Sequence, residues 1–131
     1  MSYRWVEHTA EVQIEIDAAS EEAVFTEALH ALGELLADDA RGEQVWRDVA
    51  VDGSERAALL VRWLDELVYL AETEDLVPEE VDRIELSDRG LVAGVRCRRV
   101  SPRHLVKGAT YHRLAFERSD RGFRATVVLD V

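Results

Sequence analysis

The sequence predicts an α+β fold, a two-layer sandwich of two helices on a mostly antiparallel sheet, in the order β-α-β-α-β-β-β-β. Two observations predict it. Apolar residues recur twice at helical spacing in the first half of the chain, and they alternate with polar residues in the second half. Early helices followed by a run of strands are typical of α+β domains. The 131 residues contain no repeat, linker or low-complexity tract, so we expect one domain over residues 1–131.

The first predicted strand and helix follow directly from residue spacing. Val12, Ile14 and Ile16 alternate with polar residues, which indicates a half-buried strand. Ser20 is a suitable N-cap for the helix that follows. Leucines and other apolar residues then recur every three or four positions, which predicts an amphipathic helix over 21–37.

The remaining elements are a strand, a second helix and two hairpins. Residues 45–51 read as a short strand, and residues 55–74 carry a wide apolar stripe that predicts a well-covered helix. Pro78 is predicted to close the connection after that helix. Polar turn sequences ending in glycine then separate two pairs of strand-like runs, at residues 82–88, 91–100, 110–118 and 123–130.

The composition restricts the classes of partner. There are 27 acidic and 16 basic residues, giving a net charge of −11. This excess argues against strong direct binding to nucleic acid, which requires clustered lysine and arginine. An acidic surface suits cations or a basic protein partner, and it equally suits a salt-adapted proteome.

The single cysteine limits the kinds of site that the chain can form, and the hydropathy pattern indicates where the protein is located. Cys97 cannot form an intrachain disulfide or a cysteine-based zinc site, and it is predicted to be a small strand residue rather than a catalytic thiol. The sequence shows neither a targeting leader nor an apolar run long enough to span a membrane. We therefore expect a cytoplasmic protein that does not bind membranes.

The two ends of the chain each carry an acid on a predicted strand. Because side chains alternate along a strand, Glu11 and Asp130 both belong to the set that faces away from the core. If the two strands are neighbours, the carboxylates can share a divalent cation, which relieves their mutual repulsion. Spacing alone favours the simpler alternative, two separate solvated acids at strand ends.

Three further residues are candidates for function. His8 and His112 could ligate a metal or act as a general base, although each could equally be a hydrogen-bonded residue at a strand end. Lys107 could hold a carboxylate or a nucleotide phosphate, or it could be a solvated loop lysine. Because no nucleophile has an evident base beside it and no catalytic motif is present, the sequence gives little support to an independent enzyme.

Four segments together resemble the archease family over nearly the whole chain. They are Glu-His-Thr-Ala-Glu at 7–11, Leu-Val-Arg-Trp-Leu-Asp-Glu-Leu-Val-Tyr-Leu at 60–70, Val-Lys-Gly-Ala-Thr-Tyr-His at 106–112 and Leu-Asp-Val at 129–131. The resemblance implies a protein cofactor, not an enzyme, that activates an RtcB-type RNA-splicing ligase. In tRNA splicing or RNA repair, such a protein promotes guanylylation and multiple turnover of the ligase and broadens its use of nucleotides.

The resemblance also implies site residues. A divalent ion, expected to be calcium, would bind to Glu11, to Asp130 and to a main-chain oxygen of Val131. Lys107 matches the functional lysine of the family, and three more residues are assigned to partner binding or activation: Glu7, His8 and His112.

The chain departs from the usual family residues at several of these positions. Archeases usually carry aspartate at the positions of Glu7 and Glu11, often alanine at Gly108 and often asparagine at Asp65. Glutamate keeps the charge but adds a methylene, so we expect any ion to be displaced or held less tightly. Asp65 is expected to remain on the helix surface.

Two other functions stay open. A metal-dependent hydrolase using His8 or His112 as a base would turn over a small ester unaided. A general chaperone or interaction scaffold would act on unrelated proteins and would not depend on the terminal acids.

Overall fold

A computed structural model describes residues 1–8, 11–37, 41–104 and 106–131, with the backbone alone described at residues 6–8. The described elements run in the order β1, β2, α1, β3, α2, β4, β5, β6, β7. Their bounds are β1 Ser2–His8, β2 Glu11–Ala18, α1 Glu21–Leu36, β3 Gln44–Asp52, α2 Arg56–Glu74, β4 Leu76–Ser87, β5 Gly90–Arg99, β6 Gly108–Ser119 and β7 Gly122–Asp130.

The strands form two antiparallel sheets against which the helices pack. The four-stranded sheet has the order β1-β2-β7-β6, and the three-stranded sheet has the order β3-β5-β4. The predicted α+β class, with two helices on antiparallel strands, is confirmed. The structure adds β1, which pairs with β2 along its whole length, and it divides the predicted single sheet into two.

Both helices begin at side chains that accept hydrogen bonds from their first amides. The Ser20 hydroxyl accepts from the N–H of Ala23 at 3.1 Å, as the sequence predicted. At α2 the Glu55 carboxylate accepts from the N–H groups of Ala57 and Ala58, at 3.0 and 2.9 Å. A carboxylate here also interacts favourably with the helix dipole.

The core lies between the helices and the inner faces of the two sheets. Trp63 of α2 is fully buried, and its indole N–H donates to the carbonyl of Phe25 in α1 at 2.9 Å. The two rings also meet edge to face, with centroids 6.5 Å apart. The buried tryptophan thus joins the two helices.

The predicted role of Pro78 is wrong. Strand β4 already begins at Leu76, and Pro78 lies within it, opposite Cys97 of β5. The strand tolerates proline because β4 is an edge strand and because its register shifts between Pro78 and Glu80. The missing N–H therefore interrupts the ladder only at an irregular position.

Cys97 is a structural residue of β5. Its side chain is fully buried, and this burial raises the pKa of the thiol to about 11. Very little thiolate exists at neutral pH, so the predicted non-catalytic role agrees with its surroundings.

No helix among the described residues has the length and apolar character needed to cross a membrane.

Candidate functional site

The strands that carry the two terminal acids are neighbours. Strands β2 and β7 pair antiparallel, and Glu11 lies directly opposite Asp130. Opposite residues of an antiparallel pair project their side chains to the same face of the sheet. The sequence-based condition for a shared site, adjacency of these strands, is therefore met.

The pairing extends across all four strands. His8 of β1 is the backbone partner of Glu11, and Gly108 of β6 is the backbone partner of Asp130. These four residues, His8, Glu11, Asp130 and Gly108, form one row across the end of the sheet, which we call the terminal row. Three of the segments that resemble archeases contribute to it, although more than a hundred residues separate the first from the last.

The terminal row borders the outer face of the four-stranded sheet, the face opposite the core. On β7 the core face carries Ala125, Val127 and Leu129, all fully buried as predicted. Alternation along β7 puts Val128 on the outer face, together with Asp130. It is also fully buried, yet it does not belong to the core cluster. The outer face is therefore covered at Val128, immediately beside the terminal row.

The carboxylate of Glu11 already forms an ion pair with the guanidinium of Arg113. Its Oε2 accepts a hydrogen bond from Nη2 of Arg113 at 2.8 Å, and both side chains are partly exposed. Arg113 belongs to β6, on the far side of β7 from β2. Neighbouring strands lie about 4.8 Å apart, so the arginine spans roughly 9–10 Å across the outer face of β7.

A bulge in β6 allows this reach. Thr110 pairs with Val128 and Ala115 pairs with Thr126, so four residues of β6, 111–114, face one residue of β7. Arg113 lies in this bulge with φ of 55°, a left-handed conformation that is uncommon for residues other than glycine. Such conformations persist where surrounding contacts hold them, often at functional sites.

Lys107 lies directly before β6, beside the end of β7. Its N–H donates to the main-chain oxygen of Asp130 at 2.8 Å, and its side chain is exposed. Among the described residues its ammonium has no ion-pair partner. The sequence contains one signal that our sequence analysis missed: Lys107 is the only lysine, and the other basic residues counted with it are all arginine.

Asp65 of α2 covers the free edge of β6. Its Oδ1 accepts from the N–H of Ala109 at 2.7 Å, and a Cβ added at Gly108 would lie 3.1 Å from the same oxygen. The two departures from the usual archease residues, at Gly108 and Asp65, are therefore neighbours in space. Desolvation raises the pKa of Asp65, and the hydrogen bond from Ala109 partly opposes that rise.

A shallow depression of about 370 Å³ connects these groups. Residues 107–110 form one side, Asp130 one end, and α2 the other side. Tyr69 of α2 lines it and is 58% exposed, which is high for an aromatic residue. The α2 residues that line the depression are Asp65, Val68, Tyr69 and Glu72. An ammonium, acids and an exposed aromatic ring thus share one surface, a composition suited to contact with another protein.

The structure describes the other predicted site residues to different extents. His112 is exposed within the β6 bulge, and its N–H donates to the Thr110 hydroxyl at 3.2 Å. Val131 follows Asp130 at the end of β7 and is partly buried. The side chains of Glu7 and His8 lie outside the described part of the chain, as do Thr9 and Ala10 of the same segment. Their predicted roles stay predictions.

The described donors do not fit a resident divalent ion in this conformation. The Glu11 carboxylate is engaged by Arg113, and the main-chain oxygen of Asp130 accepts from Lys107. Within residues 1–8, 11–37, 41–104 and 106–131, as far as side chains are described, no three His, Cys, Asp or Glu residues are placed to hold a metal. The calcium assignment stays a prediction.

Comparison with known sequences places the chain in a family. The sequence model of the archease protein family matches residues 3–131. The protein archease of Archaeoglobus fulgidus is 30% identical over 138 residues, covering 100% of both chains. The protein archease of Methanosarcina mazei is 30% identical over 139 residues, covering 98% of this chain and 95% of the relative.

Solved structures agree with these sequence relationships. The solution structure of Methanobacterium thermoautotrophicum protein 1598 superposes with a TM-score of 0.76 at 27% identity, covering 98% of each chain. The crystal structure of a Thermotoga maritima archease, described as a possible chaperone, gives a TM-score of 0.70 at 24% identity over 96% of this chain and 94% of the other. The match over residues 3–131 establishes that this chain belongs to the archease protein family.

Proposed function

We propose that this chain activates an RtcB-type RNA-splicing ligase in tRNA splicing or RNA repair, promoting ligase guanylylation and multiple turnover and broadening nucleotide use. The observation that carries the proposal is the terminal row. It gathers the segments at 7–11, 106–112 and 129–131 at one corner of the sheet. The segment at 60–70 reaches the same corner through Asp65.

The chemistry of this corner favours an activator over an independent catalyst. Away from this corner, in the three-stranded sheet, Cys97 is buried and protonated at neutral pH, so the thiol is not available as a nucleophile. Lys107 is exposed beside Asp130, where it is free to contact a partner. The depression is open and shallow, whereas small-molecule sites generally enclose most of their ligand.

The net charge supports a protein as the direct partner. At −11 the chain would be repelled by the phosphate backbone of RNA. An acidic protein carrying one exposed ammonium is instead suited to a basic surface around an RNA-binding active site, such as that of a ligase. Electrostatic attraction to that surface would guide the chain to the ligase.

Activation then requires only differential binding. The chain would bind the product-cleared, nucleotide-ready conformation of the ligase more tightly than the alternative conformation. Each tenfold shift between two conformations requires about 1.4 kcal/mol of differential binding free energy. One charge-assisted hydrogen bond from Lys107 is of that size, about 1.5–3 kcal/mol.

The unique lysine gives a direct test. Ligase guanylylation would be followed with the wild-type chain, Lys107→Ala and Lys107→Arg. We expect Lys107→Ala to lower the initial rate of guanylylation about tenfold or more, since a contact made by a charged donor is lost. Lys107→Arg keeps the charge but changes the donor geometry, so intermediate activity would show that the ammonium itself matters.

The control substitutes a basic residue far from the terminal row. Arg124 pairs with Asp17 at 3.0 Å near the opposite end of β7, so Arg124→Ala should activate as well as the wild type. Unchanged activation by Lys107→Ala, or absence of any effect of the wild-type chain on guanylylation, would contradict the proposal.

A general chaperone is the second candidate, because the Thermotoga maritima relative is described as a possible chaperone. It predicts that the chain suppresses aggregation of unrelated unfolded proteins. It also predicts that Lys107→Ala leaves this activity unchanged. A ligase activator predicts no protection of unrelated proteins at equimolar concentration.

A further inference from the structure

The segment that carries Lys107 is attached to β7 over a short stretch. Residues 108–110 pair with the last residues of β7, and the bulge at residues 111–114 then interrupts the pairing. Gly108 directly follows Lys107, and glycine by itself permits many backbone conformations. Pairing this short, next to a glycine, holds the backbone loosely, so a fixed position of the lysine requires further contacts.

Two backbone amides of this segment donate hydrogen bonds in different directions. The N–H of Lys107 donates to the main-chain oxygen of Asp130 on β7 at 2.8 Å. The N–H of Ala109 donates to Oδ1 of Asp65 on α2 at 2.7 Å. Because β6 is an edge strand of the four-stranded sheet, the Ala109 amide would be left to water without Asp65. The segment is therefore tied to a strand on one side and to a helix on the other.

Helix α2 is a firm support for the second contact. Leu64 and Leu67 are fully buried, and the indole of Trp63 is hydrogen-bonded to α1. The backbone of Asp65 is thus held by the core on the same helical turn. A Cβ at Gly108 would lie 3.1 Å from Oδ1 of Asp65, so the glycine is what allows the close approach of the two elements.

We propose that Asp65 is a positioning residue for Lys107. By holding the Ala109 amide, it fixes the backbone on the far side of Gly108 and so sets where the Lys107 ammonium lies beside the depression. Ordering a segment on binding costs free energy, and a segment that is already ordered in the free chain avoids this cost. The effect on a ligase rests on the proposed function, whereas the effect on the segment can be measured in the free chain.

The unique lysine makes the measurement on the free chain direct. In the full-length chain labelled with ¹⁵N-lysine, the backbone amide signal is that of Lys107. Asp65→Ala removes the acceptor of the Ala109 amide, so the segment should open more readily and hydrogen exchange of the Lys107 amide should become about fivefold faster. Asp65→Asn keeps an oxygen acceptor and removes only the charge, which desolvation disfavours, so its exchange rate should match that of the wild type.

The activity test follows ligase guanylylation over a range of chain concentrations. Asp65→Ala should raise the concentration that gives half-maximal activation about fivefold and leave the rate at saturation unchanged, because the cost of ordering falls on binding. Asp65→Asn should restore the wild-type value. In the Lys107→Ala background, Asp65→Ala should have no further effect, since a residue that acts through the lysine then has nothing to position.

The matched control is Glu66→Ala. It removes a carboxylate from the next residue of α2, which is exposed and does not line the depression, and it should change neither measurement. Gly108→Ala disturbs the same contact without altering Asp65, because the added methyl displaces Oδ1. It should change both measurements in the direction of Asp65→Ala.

The outcomes separate the positioning role from the proposed function. Equal Lys107 exchange rates in the wild type and Asp65→Ala would overturn the positioning role. So would an Asp65→Asn variant that behaves like Asp65→Ala, because the charge and not the hydrogen bond would then be responsible. If the wild-type chain failed to stimulate the ligase, the proposed function would be wrong, while faster Lys107 exchange in Asp65→Ala, but not in Asp65→Asn, would still support the positioning role.

Discussion

The two ends of the four-stranded sheet handle charge in opposite ways. At the end away from the terminal row, each acid faces a base in the neighbouring strand: Arg4 lies opposite Glu15, and Asp17 lies opposite Arg124. Both pairs form ion pairs, at 2.8 and 3.0 Å. At the terminal row an acid faces an acid, Glu11 opposite Asp130.

The pKa values of two other acids differ in the same way, Glu15 in the sheet and Asp65 on α2 beside the terminal row. The hydrogen bond from Arg4 holds the pKa of Glu15 below its usual value, so the charged form suits that end of the sheet. Beside the terminal row, desolvation raises the pKa of Asp65, so the charged form is disfavoured there. The charge of Glu15 therefore stabilises the fold, whereas the charge of Asp65, beside the terminal row, destabilises it.

We propose that this contrast distinguishes the end of the sheet that serves function. Opposite charges across strands stabilise a sheet modestly, and like charges destabilise it. An acid pair that requires an arginine from a strained bulge is not needed for folding. We interpret the terminal row as a surface kept for a ligand or partner. The ion pair between Arg113 and Glu11 reduces the loss of stability that the two facing acids cause when no partner is bound.

The largest effect on stability is expected at Arg113. Arg113→Gln removes the cation that pairs with Glu11 among the described residues, and should lower the free energy of unfolding by about 1 kcal/mol. Adding Glu11→Gln should restore most of this loss, because the repulsion then disappears. Urea unfolding of both single variants and the double variant measures the coupling.

Additive effects of the two substitutions would show that the ion pair contributes nothing. Arg124→Gln serves as the control, and its effect should be independent of the residue at position 11. If Glu11→Gln rescued Arg124→Gln equally, the terminal row would not be electrostatically distinct.

A smaller effect, with opposite pH dependence at the two ends, is expected from neutralising Asp65 or Glu15. The raised pKa of Asp65 means that its ionisation opposes folding as pH rises through the folded-state value. Asp65→Asn, which can still accept from Ala109, should therefore be more stable than the wild type at pH 7 by a few tenths of a kcal/mol. The difference should vanish below the ordinary aspartate value of 3.8.

Glu15→Gln should behave in the opposite way. The lowered pKa of Glu15 stabilises the fold above the ordinary value of 4.5, and this contribution is lost as pH falls through the lower folded-state value. The variant should be less stable than the wild type at pH 7 and equal to it in acid. Thermal melts across pH 3–7 test both variants. If Asp65→Asn and Glu15→Gln changed the stability in the same direction at pH 7, the predicted difference between the two acids would be wrong.

Much of this arrangement could be predicted from the sequence because it depends on local periodicity. Alternation in residues 12–16 and 123–130 assigned the faces of β2 and β7 correctly. It thereby placed Glu11 and Asp130 on the same side, and the observed register sets them directly opposite. The helix bounds were predicted to within one residue, because capping residues and apolar spacing are local signals.

The rest depends on contacts between distant segments. Strand β1 was not predicted, and neither was the division into two sheets, since both follow from how the chain packs as a whole. Pro78 was misplaced because an edge strand accepts a residue that usually ends strands. The role of Arg113 requires a bulge whose extra residues no turn sequence marks.

The contact between Asp65 and Ala109 could not be predicted from the sequence either. Asp65 was expected to lie on the helix surface, and its hydrogen bond to Ala109 exists only because α2 packs along the free edge of β6. Lys107 could have been singled out more strongly, since it is the one lysine in a chain that otherwise uses arginine.

The most direct test of the contrast compares Asp130→Asn with Asp17→Asn in ligase guanylylation. Both remove one negative charge from the outer face of the four-stranded sheet, one at each end. The account predicts that Asp130→Asn, although folded, loses at least about nine-tenths of the activation, a tenfold effect equivalent to about 1.4 kcal/mol, while Asp17→Asn retains it. Equal activation by the two variants would contradict it.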